Sequence, residues 1–160
     1  MNLEIERKFL VKGDFRKDVT SSVKIKQGYI AVAHGLSVRI KIICARGYVT
    51  IKSGYDDSGL IRNEWEKEIP IEEAEELLKI CGTRMINKTR YLIPSEGLTW
   101  EVDEFHGENL GLLIAEIELT SVSESFNKPD WLGEEITGKN CYYNSALSIN
   151  PYSTWINRYL

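Results

Sequence analysis

The sequence predicts an α+β fold that is mainly β: an antiparallel sheet or barrel with a few helices. Three observations predict it. About eight segments alternate polar and apolar residues with a period of two, the pattern of a strand with one buried face. Short turns join most of them, several carrying Gly, which suits strands that double back on their neighbours. Helical periodicity is confined to a few stretches, of which 71–81 is the clearest. At 160 residues the chain suits one domain with a sizeable core, and it holds no Pro/Gly/Ser linker and no low-complexity run.

The elements follow in order. The first strand is Leu3–Val11, with Glu4, Glu6 and Lys8 on one face and Leu3, Ile5 and Phe9 on the other. A short helix is expected from Asp14. Strands follow at 23–32, 37–43 and 48–53, with turns at Ala33-His34-Gly35 and Ala45-Arg46-Gly47. A polar loop, 54–60, leads to a strand at 62–69. Pro70 ends that strand. The helix 71–81 then carries acids early and Lys79 late, as the helix dipole favours, and Gly82 stops it. Strands resume at 84–93, 98–105 and 112–120, with turns at Glu96-Gly97 and His106-Gly107. Beyond Pro129 the chain reads as helical or irregular through 131–136 and 144–148, and Pro151 opens a short terminal helix.

Composition excludes several classes of function. The net charge of −4 gives no basic footprint for nucleic acid. No run approaches the roughly 18 apolar residues of a membrane span, and the N-terminus lacks the pattern of a signal peptide. Cys44, Cys81 and Cys141 are odd in number and widely spaced, so neither a disulfide framework nor a zinc site is expected, and a reducing cytoplasm is. His34 and His106 sit beside glycines in turns, a poor basis for a histidine metal site or a Ser–His hydrolase.

The strands repeat one unusual feature. One face collects Glu4, Glu6 and Lys8; Arg39 and Lys41; Lys52; Glu64 and Glu66; Lys88 and Arg90; Glu101 and Asp103; Glu116 and Glu118. The opposite face is apolar: Val38, Ile40 and Ile42, Val49 and Ile51, Trp100 and Val102, Ile117 and Leu119 among others. Two arrangements fit. The apolar faces form the inside of a sandwich with the charges in water, or the sheet closes into a barrel with a charged interior and helices from 71–81 and 131–160 covering its outside. Residue choice favours the second, because a wet face usually mixes in Thr, Ser and Gln. Buried charges are costly unless they pair or bind ions. Cations alone would suggest an anion pocket and carboxylates alone a calcium site. The two together suggest a polyanion held with its divalent metals, Arg and Lys on phosphate oxygens and Glu and Asp toward Mg²⁺.

These residues resemble the CYTH, or triphosphate tunnel metalloenzyme, superfamily. Glu4-Ile5-Glu6-Arg7-Lys8 has its ExExK form. The resemblance continues through Gln27-Gly28-Tyr29, Arg39/Lys41, Thr50-Ile51-Lys52, Glu64-x-Glu66, Lys88-Thr89-Arg90-Tyr91, Glu101-x-Asp103, Glu116-Ile117-Glu118, Gly133–Thr137 and Tyr143-Asn144-x-x-Leu147. It is closest to the small bacterial members, and it makes 1–149 the domain and 150–160 a C-terminal extension of it. The resemblance implies an eight-stranded antiparallel closed β-barrel, a triphosphate tunnel open to solvent at its ends, with helices packed outside. It implies Mg²⁺ or Mn²⁺ as cofactor and a small-molecule triphosphate as partner, with the chain acting as a monomer or homodimer. It also implies roles. Lys8, Arg39, Lys41, Lys52, Lys88 and Arg90 would bind phosphate. Glu4, Glu6, Asp103, Glu116 and Glu118 would surround the metals. Glu64, Glu66 and Glu101 would support them, Glu64 and Glu66 either as ligands or through ion pairs to Arg39 or Lys41. Tyr29 and Lys8 resemble a pair that in some members helps to activate water, and with Glu4 and Glu6 they form the catalytic set. Lys41 stands where many members carry Arg, keeping the charge and losing the fork. The implied activity is metal-dependent hydrolysis, with inorganic tripolyphosphate the first candidate. A nucleoside or thiamine triphosphatase, a class IV-like adenylyl cyclase and a non-catalytic triphosphate-binding module are the alternatives.

Overall fold

A computed structural model describes residues 2–33 and 35–156. The expected turn at His34 and the last four residues of the terminal helix lie outside them. Nine strands form: β1 Asn2–Val11, β2 Ser21–Ala33, β3 Leu36–Ile43, β4 Arg46–Gly54, β5 Ile61–Ile69, β6 Met85–Ser95, β7 Leu98–Phe105, β8 Leu113–Leu119 and β9 Leu132–Glu135. The helices are α1 Ile71–Cys81, α2 Asn144–Leu147 and α3 Tyr152–Ile156. Eight strands hydrogen-bond in the order β5-β4-β3-β2-β6-β7-β8-β1, and β1 returns to pair with β5, which closes the barrel. Every pairing is antiparallel. Closure removes the free edges that would otherwise template aggregation.

The seam is short. Asn2–Ile5 of β1 pair with Ile61–Glu64 of β5. Farther along, β9 takes the same edge of β1, through Phe9↔Glu135 and Val11↔Leu132. The sequence suggested helix or coil for 131–136. A strand forms instead because the second half of β1 needs a partner for its backbone groups there, and Gly133 lies where a Cβ would come within 2.8 Å of the Leu10 carbonyl oxygen. Two tight turns, Cys44-Ala45 and Glu96-Gly97, have positive φ at both central residues, as type I′ two-residue hairpins require. The first lies one residue before the expected place, because Ile43 pairs with Arg46 across it. The helix expected from Asp14 is only a 3₁₀ turn, Arg16–Asp18, opened by Asp14 Oδ1 accepting from the Arg16 amide.

Three apolar clusters hold the fold, and two lie outside the barrel wall. Phe9, Ile93, Trp100, Val102, Ala115, Ile117 and Leu119 face outward from β1 and β6–β8, and are covered by Phe15, Trp131 and Leu132. Ile40 of β3 packs beneath Ala74, Leu78 and Cys81 of α1. The third cluster is internal: Tyr29, Ile86, Phe105 and Ile114 point inward at one end, where Leu112, Ile136 and Leu147 join them. This departs from two expectations. The interior is not charged along its whole length, and the tunnel implied to open at its ends has one end filled. Nor do the described residues of 131–156 cover the outer wall as helices: 132–135 is strand, and α2 closes the filled end.

Glycine lets α1 lie this close. A Cβ on Gly47 would sit 2.4 Å from the Ala74 Cβ, and one on Gly28 would sit 2.8 Å from Cys81 Sγ. Gly47→Val is expected to destabilise the protein by about 1–3 kcal/mol through overpacking. A lowered melting temperature with an unchanged interior site would confirm that the helix, not the cavity, feels the change.

Candidate active site

Alternation builds the site. Each strand sends every second side chain inward, and here those are the charged ones. Glu4, Glu6 and Lys8 of β1 meet Arg39 and Lys41 of β3, Lys52 of β4, and Arg62, Glu64 and Glu66 of β5. From the other side come Lys88 and Arg90 of β6, Glu101 of β7, and Glu116 and Glu118 of β8. Gln27 and Tyr29 of β2 and Tyr143, Asn144 and Ser145 at the start of α2 complete a cavity of about 210 Å³. Every residue singled out in the sequence lines it except one.

The exception is Asp103, expected among the metal-holding acids. It shares the inward face of β7 with Glu101 and Phe105 but is fully buried, covered by Arg90 and Lys88. Its Oδ1 accepts from Arg90 Nε at 2.8 Å, and its Oδ2 accepts from Arg90 Nη2 at 2.9 Å and from Lys88 Nζ at 2.7 Å. The register explains this, since Asp103 is the direct cross-strand partner of Arg90. Both oxygens accept from Arg90 or Lys88, so Asp103 as placed aims cations and does not line the cavity.

The other charges interlock. Lys8 Nζ lies between Glu116 at 3.4 Å and Glu6 at 3.5 Å. Lys52 lies between Glu4 at 3.0 Å and Glu64 at 3.4 Å. Glu66 faces Arg39 at 3.4 Å and Lys41 at 3.6 Å, and accepts from Thr50 Oγ1 at 2.6 Å. Glu66 thus makes the expected ion pairs to Arg39 and Lys41, whereas Glu64 pairs with Lys52 instead. Arg90 also pairs with Glu101. The Tyr143 ring centroid stands 5.0 Å from both Lys8 Nζ and Arg62 Cζ, a cation–π contact with each.

Seven acids and seven bases line the cavity. A wall so balanced favours a nearly neutral guest, such as a polyanion with divalent counter-ions, over a bare anion. The acids divide into two kinds. Burial pushes Glu116 up, but Lys8, Arg90 and Lys88 outweigh it and hold its carboxyl far below the usual range. Glu6 is raised, by burial and by Glu116, against the pull of Lys8. Glu118 is raised, by burial and by Glu4 and Glu6. Glu6 and Glu118 are direct cross-strand partners, an arrangement that repels when both are ionised. A divalent cation bound near them would relieve that repulsion. Oxygen donors on β1 and β8 thus fit a hard divalent ion. Among the described residues no three acidic, His or Cys side chains form a ready-made cage. An ion of the Mg²⁺ kind needs none, because it keeps waters and takes one or two carboxylates along with its substrate's phosphates.

The bases divide as well. Burial lowers Lys8, yet Glu116 and Glu6 more than compensate and hold it above its usual value. Lys41 is lowered by burial and by Arg39. Lys88 is pushed down to about 8 by burial; Asp103 opposes this, with its charge shared with Arg90.

Comparison with known proteins identifies this arrangement. A family profile described as the CYTH domain matches residues 2–146. The chain belongs to the CYTH family. It is 47% identical over 156 residues to an inorganic triphosphatase of Acetivibrio thermocellus, covering 97% of this chain and 99% of that one. It is 34% identical over 152 residues to an inorganic triphosphatase of Nitrosomonas europaea, covering 92% and 97%. Among solved structures it is similar to the crystal structure of the inorganic triphosphatase NE1496, with a TM-score of 0.67 and 31% identity over 91% of this chain and 97% of that one.

Within this CYTH domain, sequence reasoning missed Arg62 and Gln27 as cavity residues. Arg62 shares the parity of Glu64 and Glu66, so alternation would have found it. Gln27 shares the parity of Tyr29, but a single amide carries no charge signal. Tyr143 and Asn144 were legible only as a motif; the filled barrel end brings both into the cavity.

The raised pKa of Glu6 has a consequence for stability. The folded state holds this proton more tightly than the unfolded chain does. Its stabilising share is therefore present at acid pH and is lost as pH rises through the raised value. Glu6→Gln is expected to raise the melting temperature of the metal-free protein at pH 7, with the gain vanishing near pH 4. Thermal melts of both proteins at the two pH values check this.

Proposed function

We propose that this CYTH protein is a divalent-metal-dependent inorganic triphosphatase that splits tripolyphosphate into pyrophosphate and phosphate. One observation carries the reading: a charge-balanced cavity of about 210 Å³ with Ile25 its only aliphatic lining residue. That is smaller than the roughly 300–1,000 Å³ of pockets for drug-sized ligands. It offers a phosphate chain and its metals many partners, whereas a nucleobase or thiazole ring would find aromatic surface only on Tyr29 and on Tyr143, the latter already facing Lys8 and Arg62. The inorganic triphosphatases to which the chain is similar support the same substrate.

In this reading Lys8, Arg39, Lys41, Lys52, Arg62, Lys88 and Arg90 hold the phosphate oxygens and offset charge as it moves toward the leaving group. Glu4, Glu6, Glu116 and Glu118 would hold Mg²⁺ or Mn²⁺, which when bound would neutralise phosphate charge and acidify water. Glu64, Glu66 and Glu101 aim the bases with which they pair. Asp103 aims Lys88 and Arg90. The water oxygen bonds to the terminal phosphorus and the bridging P–O bond breaks. Its electron pair leaves with pyrophosphate, and the water's proton passes to a cavity carboxylate. In this reading water attacks directly: no His or Cys is among the described lining residues, and Ser37 and Ser145, which are, have no His among those residues to act as their base.

Phosphate release should be fastest from tripolyphosphate, slower from ATP and thiamine triphosphate, and absent with chelator. Glu4→Gln and Glu6→Gln should each cost about 100-fold or more in activity, and normal turnover by either would sink the metal assignment. The pH profile offers a second test. Lys88 loses its charge above about pH 8, so kcat/KM should fall on that side. Lys88→Arg, which stays charged, should move the alkaline limb upward, whereas titration of the substrate alone would leave it in place.

A further inference from the structure

The filled end of the cavity carries a hydrogen-bond chain whose direction chemistry dictates. Charged Lys88 can only donate. Its Nζ lies 2.7 Å from Asp103 Oδ2 and 2.9 Å from Asn144 Oδ1, so Asn144 must turn its oxygen toward the lysine. Gln27 Nε2 lies 3.1 Å from the same Asn144 oxygen, where a carbonyl would meet another acceptor. Gln27 therefore presents its NH₂ there, and that group has two protons. One goes to Asn144. The other goes to the Tyr29 hydroxyl oxygen at 3.1 Å. The Tyr29 oxygen is thus an acceptor, its own proton must point elsewhere, and no side chain among the described residues takes it. Tyr29 lines the cavity.

A second observation sets Gln27 apart from a packing residue. It is completely buried, yet its Oε1 has no partner. An unpaired buried acceptor is unfavourable, and an apolar side chain of similar volume would avoid the cost. What the glutamine supplies in return is the donor to Tyr29.

We propose that Gln27, anchored by Asn144 and Lys88, is a positioning residue that fixes Tyr29 as a hydrogen-bond donor into the phosphate cavity. Tyr29 then stabilises charge that develops on the phosphate chain and does not take the water's proton. Fully ionised phosphate oxygens have no proton to give, so a donor is the form of Tyr29 they can use. Asn144 belongs to α2, so the chain also makes the C-terminal segment part of the catalytic machinery. The proposal rests on the triphosphatase reading.

The test is steady-state kinetics on tripolyphosphate with Mg²⁺ for the wild type, Tyr29→Phe, Gln27→Met, Gln27→Glu and the Gln27→Met/Tyr29→Phe pair. Tyr29→Phe should lower kcat about 100-fold, the scale of one lost transition-state donor, with KM within about threefold. Gln27→Met removes the donor, and Gln27→Glu offers a carboxylate that pulls the hydroxyl proton back. Each should lower kcat by about 10- to 100-fold, and the pair should be no slower than Tyr29→Phe alone. Should Gln27→Met not fold, Gln27→Glu carries the same test. Effects that multiply, an unchanged kcat in either Gln27 variant, or loss of the acidic limb of the kcat profile in Tyr29→Phe would overturn the proposal. The last result would make Tyr29 the base. A wild type without turnover would overturn the functional reading as well, whereas an active wild type beside an indifferent Gln27 overturns this proposal alone.

Discussion

Asp103 is fully buried between Arg90 and Lys88, and much of the interior hangs on that cluster. Burial alone would favour a neutral carboxyl, but the two cations hold Asp103 below its usual range. Removing one partner of a buried ionic cluster typically costs about 3–5 kcal/mol, because an uncompensated charge is left behind. The cluster also sets direction. It aims Arg90 at Glu101 and Glu116, and it aims Lys88 at Asn144, which joins α2 to the barrel end. One carboxylate thus organises both the cavity-facing cations and the closure of the cavity.

Charges inside require the apolar core to lie elsewhere. Trp100, Ile117 and Phe9 pack outside the wall, α1 supplies a second outer core, and an internal cluster remains only where the barrel is filled. Neighbouring bases outweigh burial at Glu116 but not at Glu6 and Glu118, whose carboxyls are raised by burial and by nearby acids. Local stability is given up there, as is common where a site must bind a cation it does not itself contain.

Much of this was legible before any coordinates. The parity of charged residues placed Glu4, Lys52, Arg90 and Glu116 on one face, and the strands carry that face inward. Gly82 and the charges flanking α1 gave that helix its bounds. What escaped lacked a local signal. Four residues, Leu132–Glu135, become strand because β1 offers a free edge. Ile86, Phe105 and Ile114 are ordinary apolar residues whose place inside the barrel depends on how far along the wall they lie.

Sequence by itself determined the period of the strands, the single helix of length, and which side chains would share a face, because alternation is a property of the chain's own geometry. Only the tertiary structure decided that Asp103 is spent on Arg90 and Lys88, that Arg62 and Gln27 join the cavity, and that α2 fills one end. Those outcomes depend on register and closure, which bring residues distant in sequence to within a hydrogen bond of one another, and no local pattern encodes that.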